Sequence, residues 1–140
     1  MIWDLLTTTP MEQQNSKNQK PVHEYIKWKR QMKKTNKKAE YNTIEPDEAL
    51  NMIENKENFY LIDVRTEEEF NFGHLQKAIN IPLNIISNLA NQSFKSKDSR
   101  IVLYCKSGAR SRLAATELTY LGYNQVYDLG GIISYPYELS

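Results

Sequence analysis

From Tyr41 onward the apolar positions alternate between short continuous runs and sets spaced three or four apart. Residues 59–64 (FYLIDV) form a nearly continuous apolar run, as expected for a strand buried on both faces. Residues 101–104 form a second run of this kind. Shorter strand-like segments fall at 41–44, at 78–81 (closed by Pro82) and at 126–129, which Gly130 and Gly131 follow. Helical spacing lies between them. Residues 46–55 read as a helix, with Pro46 in the first turn and Ala49, Leu50 and Ile53 on one face. Thr66 with Glu69 three residues on makes a capping-box arrangement. It predicts a short helix over 67–71, ended by Gly73. Residues 85–91 and 110–121 read as two further helices. The second turns Ala114, Leu118 and Leu121 inward, and Gly122 caps its end. Strands alternating with helices predict an α/β fold: a parallel sheet flanked by helices on both faces. Sites in such sheets form outside the carboxyl ends of the strands. Asp63 and Cys105 both lie at such ends, so both point to one edge of the sheet.

The residues before Tyr41 have a different character. Residues 1–40 hold nine Lys/Arg against four Asp/Glu, a net of +5, whereas residues 41–140 hold nine against thirteen, a net of −4. The split predicts a boundary near residue 40 between a basic, polar N-terminal arm and a domain over 41–140. Within the arm, MEQQNSKNQKP has a linker-like composition. Residues 22–38 carry a helical pattern in which Val22, Tyr25, Ile26, Lys29 and Met32 follow roughly helical spacing, with Trp28 beside them. A solvated arm accounts for this composition, and nothing in it points specifically to nucleic acid. No stretch nears the ~18 apolar residues of a membrane span. The start, MIWDLLTTTP, lacks the basic flank and apolar core of a secretory signal. These features predict a cytoplasmic protein with no membrane span.

The chain has one cysteine, Cys105, and two histidines, His23 and His74. No internal disulfide is possible, and no standard zinc spacing is present. Cys105 stands where an apolar run ends, and the loop CKSGARS then opens a helix. Orphan amides and the dipole at a helix N-terminus favour negative charge. Gly108 permits backbone angles that a Cβ would obstruct. Lys106 and Arg110 add positive charge. All of these favour an ionised, nucleophilic sulfur within a loop that also suits an oxyanion. The planar fork of Arg110 matches a sulfonate. His74 precedes a strand rather than following one, so it reads as a structural residue holding a turn. With no second catalytic side chain evident, a thiolate activated by its loop alone suits sulfur transfer, where no amine needs protonation.

Four pieces in order now carry a family resemblance over about 95 residues. They are LIDVR followed by EEEF, GHLQKAINIP over 73–82, the loop YCKSGARS, and DLGGI over 128–132. On these the 41–137 region resembles a single-domain rhodanese-like sulfurtransferase. The resemblance implies a five-stranded parallel sheet flanked by helices. It also implies that Cys105 takes a sulfane sulfur from a small donor such as thiosulfate and becomes a persulfide. The acceptor is then cyanide in assays, or a thiol or protein sulfur carrier in cells. Lys106, Ser107, Gly108, Ala109, Arg110 and Ser111 form the substrate-binding loop. Asp63 and Arg65 are a supporting structural pair. No metal or cofactor is implied. Cysteine phosphatases of related fold use C-x5-R, whereas Cys105 to Arg110 is C-x4-R. The tighter ring fits a single sulfur better than a phosphate ester. One departure from the family lies after the Gly pair, where an aromatic is usual and Tyr135 or Tyr137 stands in. Two other readings stay open: an interaction or sulfur-carrier module recruited through the arm, and a redox sensor in which Cys105 is oxidised to a sulfenic acid.

Overall fold

The structure, a computed structural model, describes Ile26, Lys27, Arg30 and residues 40–140. Ile26, Lys27 and Arg30 are helical. The rest of the arm expected over 1–40 lies outside the described residues, Glu40 apart. The 40–140 region runs β1 (Asn42–Thr43), α1 (Pro46–Glu54), β2 (Tyr60–Asp63), α2 (Glu67–Asn71), β3 (Ile79–Asn80), α3 (Leu83–Ser93), β4 (Arg100–Cys105), α4 (Ala109–Tyr120) and β5 (Gln125–Gly131). A 3-10 turn over Ile132–Ser134 follows. The sheet has five strands in the order β1-β5-β4-β2-β3, and every pairing is parallel. No helix of the described residues is long and apolar enough to cross a membrane.

The alternation of a strand's side chains divides the core in two. Ile62, Ile101, Leu103, Cys105 and Val126 face one side, where α3 brings Ile86 and Ala90 and α4 brings Ala114, Ala115 and Leu118. Leu61, Val102 and Tyr104 face the other, with Ile53 from α1, Leu75 and half-buried Tyr135. Helices therefore cover both faces of the parallel sheet, as the sequence pattern predicts.

Local chemistry sets the helix ends. Thr66 Oγ1 accepts the Glu69 N–H and the Glu69 carboxylate accepts the Thr66 N–H, which closes the capping box of α2. At the end of α4, the Gly122 N–H reaches the Thr119 carbonyl and the Tyr123 N–H reaches the Leu118 carbonyl. Gly122 sits at φ +104°. This is the Schellman pattern, in which a left-handed residue turns the last carbonyls onto chain amides.

Three expected boundaries shift. α3 starts at Leu83 rather than residue 85: the Leu83 N–H, which has no partner within the helix, donates to the Val64 carbonyl at 3.0 Å. On α4, Leu121 is the half-buried C-cap, and Ser111 and Ala115 join Ala114 and Leu118 on the buried face. β5 continues past residue 129 through both glycines. Leu103 pairs with Asp128 and Tyr104 with Gly130, so Leu129 is an extra residue, a β-bulge. Gly130 takes φ +95°, and its N–H is held by Asp128 Oδ1 at 3.0 Å. The bulge lets Gly131 lie directly beside Cys105.

Candidate active site

β4 carries Cys105 to the edge of the sheet, and the chain then turns through 106–108 into α4. Gly108 is the N-cap, at φ +107°. That left-handed conformation strains any residue with a Cβ. It folds the loop back over the sulfur. Sγ accepts the Gly108 N–H at 3.0 Å and the Ser111 N–H at 3.4 Å. Ser111 Oγ lies 3.7 Å from Sγ and 3.1 Å from the Gly108 carbonyl. A hydroxyl has a single proton, so it serves one of these groups at a time. Pointed at the carbonyl, it offers a lone pair to the S–H; swung round, it donates to an ionised sulfur. The loop thus supplies two fixed donors and one adjustable donor to the same atom.

The sulfur is covered. Cys105 is 1% exposed and belongs to the core on the α3/α4 side. Gly108 and Ser111 are buried with it, while Lys106, Ser107 and Ala109 are exposed. Gly131 closes the loop from behind. An added Cβ there would stand 2.4 Å from the Lys106 carbonyl oxygen and 2.7 Å from Ser107 Cα. The same Lys106 oxygen accepts the Ile133 N–H at 3.3 Å.

Arg110 is not the free oxyanion fork that the sequence suggests. Its two terminal nitrogens donate to the two oxygens of Glu69, at 2.7 and 3.1 Å. The Arg110 guanidinium, helped by the Thr66 N–H and hydroxyl and opposed by burial, holds the Glu69 carboxyl at about 2, below its usual 4.5. In turn the hydrogen bond to Glu69 raises Arg110 above its ordinary value. A carboxyl depressed in the folded state adds stability above its unfolded value and loses it as pH falls. The stability gap between the wild type and Glu69→Gln is therefore expected to be widest near neutrality and to close between about pH 5 and pH 2. Thermal unfolding across that range checks this; a constant gap would contradict the pairing.

Asp63 and Arg65 reach the same sheet edge on the opposite face from Cys105. Asp63 is fully buried and Arg65 is 6% exposed. Arg65 Nε donates to both Asp63 oxygens at 3.0 Å, and Nη2 donates to Oδ2 at 2.7 Å and to the Gly73 carbonyl at 2.7 Å. The Arg65 N–H adds a bond to Oδ1 at 2.9 Å. Nearby, the Tyr104 hydroxyl accepts the Leu75 N–H. Burial, with hydrogen bonding to Asp63 acting in the same direction, pushes the Tyr104 phenol well above its ordinary value. This cluster ties β2 and β4 to the segment entering β3 and does not touch the sulfur. His74 is likewise structural. Its Nδ1 lies 3.0 Å from the Phe70 carbonyl and its ring stacks on Phe70 at 3.8 Å. Tyr135 packs on the α1 side of the core, edge-on to Tyr137, whose hydroxyl donates to Asp47.

Two contributors escaped the sequence reading. Glu69 reads there only as a capping residue, and Gly131 only as the end of a strand. Among the described residues, no cluster of His, Cys, Asp and Glu is suited to a metal ion.

Comparison with known proteins gives a consistent result. The Rhodanese-like domain model matches residues 45–135. A Sulfurtransferase of Allochromatium vinosum is 34% identical over 95 residues, covering 67% of this chain and 87% of that protein. A tRNA uridine(34) hydroxylase of Buchnera aphidicola is 38% identical over 94 residues, covering 61% of this chain but only 28% of the hydroxylase. Among solved structures, a rhodanese with anions from E. coli aligns at TM-score 0.55 and 31% identity, covering 58% of this chain and 95% of that one.

Proposed function

The chain belongs to the rhodanese-like domain family, and from that premise we propose that Cys105 carries a sulfane sulfur between two substrates as a persulfide. Its thiolate attacks the outer sulfur of a donor such as thiosulfate. The donor S–S bond breaks and sulfite leaves with the electron pair. Cys105 is left as a persulfide anion. A thiophilic acceptor (cyanide in an assay, a thiol or a protein sulfur carrier in a cell) then attacks the terminal sulfur, and Cys105 departs as thiolate. The two half-reactions share one covalent intermediate. Neither needs an oxidant, a reductant, a metal or a protonated leaving amine.

The observation that carries this reading is the pair of loop amides aimed at Sγ. Preorganised N–H donors stabilise an anion without reorganising during the reaction. The Gly108 and Ser111 amides act on the thiolate and on the persulfide, and the Ser111 hydroxyl follows the charge. Lys106 and Ser107 stand at the exposed rim, where the ammonium attracts an anionic donor. The small side chain of Ala109 keeps the start of α4 open, and Arg110, whose terminal nitrogens are held by Glu69, borders the loop. Asp63 and Arg65 hold the sheet edge and take no part in the chemistry. Because Cys105 is 1% exposed, loading includes a movement of the 106–110 loop that admits the donor.

Intact-mass spectrometry after thiosulfate treatment tests this. The expected result is a one-sulfur adduct that maps to Cys105 and disappears on adding cyanide, with release of thiocyanate. Cys105→Ala is expected to gain no adduct. A wild type that stays unmodified by thiosulfate and by small persulfides would overturn the proposal.

A further inference from the structure

Resting on the persulfide reading above, we propose that Glu69 sets the donor preference of Cys105 by holding Arg110, so that sulfane donors lacking a sulfonate load the cysteine in preference to thiosulfate. Of the two edges of an arginine guanidinium that take a bidentate anion, the inner Nε/Nη2 edge and the outer Nη1/Nη2 edge, the outer one reaches furthest from the stem. That place is filled: Glu69 Oε1 and Oε2 each receive one terminal nitrogen of Arg110. The carboxylate is itself fixed, since Oε1 also accepts the Thr66 N–H at 3.0 Å and the Thr66 hydroxyl at 3.1 Å. Capping α2 uses Oε1 alone. No described hydrogen bond other than that from Arg110 reaches Oε2, so the cap does not explain the second contact.

The charge on α2 acts in the same direction, against the attraction of Lys106 at the rim. The first turn of α2 carries Glu67, Glu68 and Glu69 in succession. Glu67 and Glu68 are exposed. A dianion approaching Arg110 meets a carboxylate already on the guanidinium, at a helical turn that carries two more negative charges. Like charges brought together raise the cost of docking. The persulfide of an uncharged thiol has no sulfonate and at most one negative charge, and its protonated form meets no such barrier. Cys105 thiolate attacks its outer sulfur, the donor S–S bond breaks, and the donor leaves as a thiolate. The transferred sulfur keeps its proton. Glu69 is thus a positioning residue that selects donors and never touches the reacting atoms.

The test compares two rate constants for adduct formation on Cys105, followed by intact mass. One donor is thiosulfate, and the other is the persulfide of 2-mercaptoethanol. Glu69→Gln keeps an oxygen for the Thr66 amide and removes the charge. It is expected to raise the ratio of thiosulfate to persulfide loading about tenfold, the size of one charge-assisted hydrogen bond regained by the substrate. Adding Arg110→Gln is expected to cancel that gain. Inhibition by sulfite provides a second measure and is expected to tighten in Glu69→Gln alone. A ratio within twofold of wild type, or a gain that survives loss of Arg110, overturns the role given to Glu69 while leaving the persulfide reading intact. Failure of the wild type to load from either donor overturns both.

Discussion

Gly131→Ala is expected to lower the rate of sulfur loading on Cys105 by about a hundredfold or more, because a single methyl group displaces the loop that holds the sulfur. The backbone of Gly131 is ordinary, at φ −106°, so alanine brings no torsional strain. The conflict is one of contact. The new Cβ would lie 2.4 Å from the Lys106 oxygen and 2.8 Å from the Ser107 carbonyl carbon, whereas ordinary contact begins near 3.4 Å. The opposing atoms are backbone, so no side-chain rotation relieves them, and the loop has to retreat by about 1 Å. Gly108 follows Ser107, and its amide is the shorter of the two bonds to Sγ. A shift of that size takes a 3.0 Å hydrogen bond out of useful range. Losing one preorganised donor to a reacting anion costs about 10²–10³ in rate. Gly130→Ala is the informative comparison. There φ is +95° and no atom lies within 4 Å of the added Cβ. Strain of about 1–2 kcal/mol falls on the fold, and nothing pushes the loop. Urea melts and loading rates on the two variants separate these effects. Gly131→Ala loading at the wild-type rate would mean that the loop does not depend on this contact.

The sequence carries information about some of these elements and not about others, for identifiable reasons. β4 and the position of Cys105 are readable because a strand covered on both faces leaves a continuous apolar run that stops at the sheet edge. The α2 cap is readable because its two partners sit three residues apart. The second partner of Glu69 is not, since Arg110 lies 41 residues away and local spacing holds no record of a long-range ion pair. Gly130 and Gly131 illustrate a different failure. In the chain they look like the end of a strand. In the structure a bulge at Leu129 absorbs one residue and keeps both glycines in the sheet, where the absence of a side chain at 131 is what the loop needs. The burial of Ser111 follows from the same crowding. Its hydroxyl is tolerated on the inner face of α4 because the Gly108 carbonyl and the cysteine sulfur are there to receive it.

Arg65→Met is expected to be strongly destabilising, at about 3–5 kcal/mol. The carboxylate it abandons is fully buried, and a charge without its partner in such a place is far more costly than the pair is favourable. Three side-chain hydrogen bonds to Asp63 disappear, and the Gly73 carbonyl loses a donor as well. Only the backbone N–H of residue 65 and the influence of Tyr104 remain. Against the ~5–15 kcal/mol typical of a whole domain, this is a large share, and the urea midpoint is expected to fall by more than about 1 M. The two sides of the pair are not equivalent to its absence. Replacing both residues at once, as Asp63→Leu with Arg65→Met, removes the stranded charge and is expected to recover much of the loss. Sulfur loading provides the second reading. Asp63 and Arg65 lie on the face away from the sulfur, so whatever fraction of Arg65→Met stays folded is expected to load from thiosulfate at a rate near that of the double variant. If loading instead collapses in the folded single variant, the pair reaches the loop through the sheet, and its role extends beyond support.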